Sequence, residues 1–118
     1  MTKPGYLAWR ANLKQYHAKT AAAILLEVGY DPSTITAVQD LILKKHPADP
    51  NAQTLEDALC LVFLEHQLDE FAAKTEDAKT VNALKKSWGK MSEAGRAAAL
   101  KIAFSERGGQ LVGQALAP

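Results

Sequence analysis

The side chains best able to do chemistry in this sequence are His17, His46 and Asp57. Imidazole and carboxylate together are good ligands for zinc, manganese or iron, so the three define a candidate divalent-metal pocket. Arg10, Lys14, Lys44 and Lys45 would draw a phosphate or another small anion towards it. Each residue also has a plainer use. Asp57 stands where a capping carboxylate would stand at a helix start, His17 fits a partly buried polar position, and His46 follows a helix end where a cation is favoured.

Other chemistries find less material. His66 and Glu70 lie four apart, as do Glu65 and Asp69, but a di-metal carboxylate bundle needs Glu-x-x-His from two helices. Here Glu65 and His66 are adjacent and no second copy follows, so a solvated polar face accounts for them. Cys60 is the only cysteine, which rules out an internal disulfide or a cysteine-based zinc site and suits a small buried hydrophobe. No Gly-x-Ser-x-Gly elbow is present, and Gly108-Gly109 lacks the Lys-Ser/Thr of a phosphate-binding loop. Lys85, Lys86, Lys90 and Arg96 surround Trp88, but the segment is short and the net charge is only +1, which argues against nucleic acid as a partner. Trp88 is better placed as a core residue.

The elements that must position these side chains are all helical. Alanine and leucine are frequent, no β-branched run is longer than Thr34 to Thr36, and Gly and Pro cluster at a few breaks. At 118 residues, 1–118 reads as one all-α domain, a compact bundle of five to six helices. No apolar run approaches the roughly 20 residues of a membrane span, and the N-terminus lacks a signal-peptide core, so a cytoplasmic setting is expected with no membrane partner.

The central element is predicted over about 54–74, with Thr54 as cap and Asp57 at the third helical position. Ala58 to Leu64 are seven consecutive apolar residues, which leaves that stretch no water-facing side and requires other helices to wrap it. A first helix runs from about Pro4 to Val28, ended by Gly29, with Arg10, Lys14 and His17 on one basic face. Asp31-Pro32 opens a second. His46 to Gln53 reads as an extended loop. A fourth helix opens at Thr75-Glu76-Asp77, Ser92 caps a fifth carrying Ala97 to Phe104, Gly108-Gly109 breaks the pattern, and Leu111 to Leu116 form a short, weakly anchored end. No internal repeat is visible.

Leu55 to Glu65 (LEDALCLVFLE), preceded by Leu41 to Lys45 and followed by Lys86 to Gly95, resembles an uncharacterised bacterial family, domain of unknown function 4202. Gly5 to Ala18 fits the preceding helix of that family, whose members carry further N-terminal helices. The family's layout is similar to a distant HD-domain fold, whose phosphohydrolases hold divalent metals with a His, a His-Asp doublet and a distant Asp. The resemblance puts Asp57 at the distant Asp. Here the three histidines are followed by Ala18, Pro47 and Gln67, so no doublet exists to complete a catalytic metal set.

The expectation is therefore a non-catalytic association or binding module that keeps part of an HD-like scaffold, with no cofactor beyond a divalent metal at His17, His46 and Asp57. The alternative is a metal-dependent phosphohydrolase, or a subunit of one, with a degenerate site. If further N-terminal helices normally cover the central helix, a chain without them leaves apolar surface for a partner. A homo-oligomer follows, most simply a two-fold dimer.

Overall fold

A computed structural model describes residues 2–118. Among the described residues there is no strand, and the helices are α1 (Lys3–Glu27), α2 (Pro32–Ile42), α3 (Pro50–Val62), α4 (Leu68–Lys74), α5 (Asp77–Lys90), α6 (Glu93–Ala99) and α7 (Glu106–Leu116). A π turn, Phe63–Gln67, joins α3 to α4. With that continuous run counted once there are six helices among the described residues, within the expected number. The packing falls into two compact units, Met1–Ala52 and Gln53–Pro118.

The first unit is a helical hairpin. Thr2 caps α1 by accepting the Gly5 N–H, and Asp31 caps α2 by accepting the Thr34 N–H at 2.8 Å. Both helices end in the same way. The Tyr30 and Gly29 N–H groups reach back to Leu25 and Leu26, and those of Lys45 and Lys44 to Asp40 and Leu41. This double bond pattern needs a left-handed residue after the cap, supplied by Gly29 (φ 96°) and, against its steric preference, by Lys44 (φ 56°). Ala18 is buried, Leu25, Ile35, Val38 and Leu41 are half-buried, and the Gln39 side-chain amide donates to the Ala18 carbonyl at 3.5 Å.

The expected loop over 46–53 is shorter than the sequence suggested. Asp49-Pro50 repeats the Asp31-Pro32 signal. The Asp49 carboxylate accepts the Asn51 N–H at 2.9 Å, and α3 starts at Pro50. Thr54 thus lies inside α3 instead of capping it, and Asp57 is not at the third position of the helix.

In the second unit, Cys60, Leu64, Leu68 and Ala72 line the buried side of the central run and meet Leu84, Met91, Ala99, Leu111 and Ala115. A strict four-residue spacing drifts off one face of a helix with 3.6 residues per turn. The π turn closes i→i+5 bonds and takes up an extra residue, which brings the four positions back to one side. The wrapping of Ala58 to Leu64 is incomplete: Leu59 and Val62 are 55% and 47% exposed, and Ala58 is open as well.

The end of the chain is also corrected. α6 stops at Ala99, Ser105 caps α7, and Gly108-Gly109 sits in the first turn of α7 rather than breaking a helix. Leu111 is 1% exposed, so the last helix is anchored in the core.

Candidate functional site

The predicted ligands have separate surroundings. His17 is exposed on α1, its ring tilted against Tyr16 at 6.2 Å between centroids. His46 is exposed beyond α2, with Nε2 3.8 Å from Asp40 Oδ2, and shares a small cleft with Asp40, Leu41, Asp49 and Asn51. Among the described residues, no three His, Cys, Asp or Glu side chains are grouped so as to hold a metal ion.

Asp57 is committed to a local task. Its Oδ1 accepts the Ser92 N–H at 2.8 Å and the Gln53 amide at 3.0 Å, and its Oδ2 accepts the Ser92 hydroxyl at 2.5 Å. Ser92 in turn caps α6 by accepting the Gly95 N–H at 3.1 Å. The hydroxyl and backbone bonds from Ser92 hold the Asp57 carboxyl below the usual carboxylate range. A β-carbon on Gly95 would stand 2.6 Å from the Asp57 carboxylate, so any larger residue there must displace that carboxylate.

The same device recurs. Asp69 Oδ1 accepts the Ser105 hydroxyl at 2.7 Å, Ser105 caps α7 through the Gly108 N–H at 2.9 Å, and a β-carbon on Gly108 would lie 3.3 Å from Asp69. The sequence signal is Ser-Glu-x-Gly, present at Ser92 and Ser105, with two aspartates on the central run behind it. That short repeat went unseen because its partner aspartates are remote in the chain.

Among the basic candidates, Arg10 stacks over the Tyr6 ring at 5.9 Å, Lys14 is half-buried on the same helix, and Lys45 Nζ is 3.5 Å from Asp40 Oδ1. Lys44 occupies the left-handed turn after α2. Asp40 therefore serves both Lys45 and His46. On the central run, His66 lies 3.8 Å from Glu65 and Lys74 2.9 Å from Glu70, all exposed. Cys60 is buried with Sγ 3.6 Å from the Ser87 carbonyl, and burial pushes its thiol up. Trp88 packs against the core with Arg96 over its ring at 5.4 Å.

One side of α1 is open to solvent. Thr2 to Asn12 are all exposed. Tyr6, Trp9, Leu13 and Tyr16 fall at i, i+3, i+7 and i+10, which is one stripe of a helix. It lies roughly opposite the side carrying Ala18, Ala22 and Leu25. Tyr6, Trp9 and Tyr16 are 45%, 50% and 64% exposed, and Tyr6 and Trp9 are stacked at 6.0 Å. The sequence reading gave this helix a basic face of Arg10, Lys14 and His17 and did not single out Tyr6, Trp9 or Leu13, because apolar residues occur on both sides of the helix.

A small all-helical protein with an exposed aromatic helix face is the class these features define. A family model described as domain of unknown function (DUF4202) matches residues 1–112, and the chain belongs to that family. No curated protein and no solved structure matches it. No helix among the described residues is long and apolar enough to cross a membrane.

Proposed function

We propose that this protein is a non-catalytic association module that acts by binding a second copy of itself, in a cytoplasmic setting where its one thiol stays reduced. The observation that carries the reading is the open aromatic stripe of α1, together with Leu59 and Val62 on α3. Scattered apolar residues are normal at a surface, but three large aromatic rings in one helical line are a surface that association covers.

What supports the lack of catalysis is residue-specific. The HD-like scaffold implied by the resemblance works through a His-Asp doublet that this sequence does not contain. Asp57, the carboxylate that would complete such a set, has both oxygens engaged by Ser92. Its geometry is that of a helix clamp.

Light scattering after size exclusion, run from about one to one hundred micromolar, tests the reading. A mass near twice the 12.8 kDa of one chain at the upper end is expected. A single-chain mass at every concentration contradicts it.

A further inference from the structure

We infer that the partner surface for the α1 stripe is the Leu59–Val62 face of α3 in the second copy, each copy giving its α1 to the other. The inference rests on self-association and names the two faces that meet. Charge is the first reason. Arg10 flanks the α1 stripe and no acid precedes Glu27 on that helix, whereas Glu56 and Glu65 flank Leu59 and Val62 and no lysine or arginine follows before Lys74; Asp57 and Asp69 are turned to Ser92 and Ser105 instead. The two faces carry opposite sign, and two copies of either face would repel.

Shape and chemistry agree with charge. At 1.5 Å of rise per residue, the stripe from Tyr6 to Tyr16 is about 15 Å long and the stretch from Glu56 to Glu65 about 14 Å. The first is aromatic, with Arg10 along one edge; the second is aliphatic, with Leu59 and Val62 spaced three apart between Glu56 and Glu65. Helix packing of this kind seats aromatic rings on small aliphatic ridges while the flanking charges pair at the rim. An exchange of α1 in both directions is an isologous contact, which closes at two copies.

A charge exchange tests the pairing. One variant carries Arg10→Glu, the other Glu56→Lys and Glu65→Lys, and far-ultraviolet circular dichroism checks that each is helical. If the second is not, Glu65→Lys alone replaces it. In the proposed contact each variant alone opposes like charges, so its dimer dissociation constant should rise at least about tenfold. An equimolar mixture meets acid with base at both contacts and should recover to within about threefold of the unmodified protein.

Variants that dimerise as the unmodified protein does, or helical variants that stay monomeric when mixed, overturn the assignment of faces while leaving self-association in place. A monomeric unmodified protein overturns both.

Discussion

Asp57 and Gly95 are fitted to one another: the carboxylate occupies the space a β-carbon on residue 95 would need, 2.6 Å away. The absence of a side chain at Gly95 lets the start of α6 approach the central run until Ser92 gives both its N–H and its hydroxyl to Asp57. A helix terminus leaves several N–H groups unsatisfied, and here a carboxylate from another helix positions the serine that satisfies one of them.

Glycine substitutions should therefore rank by what a β-carbon meets. Gly95→Ala displaces Asp57 and should destabilise by about 1–3 kcal/mol, the usual range for overpacking. Gly108→Ala, with its nearest neighbour at 3.1 Å, should cost less. Gly113→Ala, inside α7 with nothing within 4 Å, should stabilise by about 0.5–1 kcal/mol through helix propensity. Urea unfolding of the three variants checks the order.

The two serine caps should be of similar weight. Ser92→Ala and Ser105→Ala are each expected to lose about 1 kcal/mol, as N-cap replacements do. A double-mutant cycle between Asp69→Ala and Ser105→Ala should show coupling, since the two share the 2.7 Å bond. Additivity in that cycle would show that the bond carries no energy.

Acid sensitivity follows from Asp57. Its folded pKa lies below the ordinary value of about 3.9, so the stability it contributes is fully present above that value and is lost as pH falls through the folded pKa. Asp31 acts in the same direction through its bonds to Thr34 and Ser33. The urea midpoint of the unmodified protein should fall more steeply below about pH 4 than that of Asp57→Asn, and the two curves should converge in acid.

The last helix should be indispensable. Leu111 is almost wholly buried, and Arg107 of α7 pairs with Asp77 of α5. Leu111→Ala should cost about 2–5 kcal/mol, the range for a buried leucine. A chain ending at Gln110 should lose cooperative unfolding of the second unit.

Much of the architecture was legible because its signals are local. Asp31-Pro32, Gly29 and the Ser92 cap each act within one turn of helix, and each sits where the sequence put it. Asp49-Pro50 carries the same local signal as Asp31-Pro32, yet the neighbouring Pro47 and the missing periodicity hid it. Gly108 was read as a breaker because glycine is a poor helix former. The reason for its presence lies in Asp69 and Leu68, which no local window contains.

The candidate site divides in the same way. The chemistry of Asp57 was visible, but its partner Ser92 is 35 residues away and only the fold brings them together. Likewise the apolar run over 58–64 announced burial, whereas the exposure of Leu59 and Val62 depends on which neighbours the chain provides.

The central claim is that copies of this chain associate through the aromatic stripe of α1. Hydrogen–deuterium exchange at two protein concentrations, one well below and one well above the dimer midpoint, measures association and its location together. The account predicts that amides over residues 3–16 and 56–66 exchange more slowly at the higher concentration, while those in the middle of α5 do not change. Equal exchange of α1 at both concentrations would contradict it.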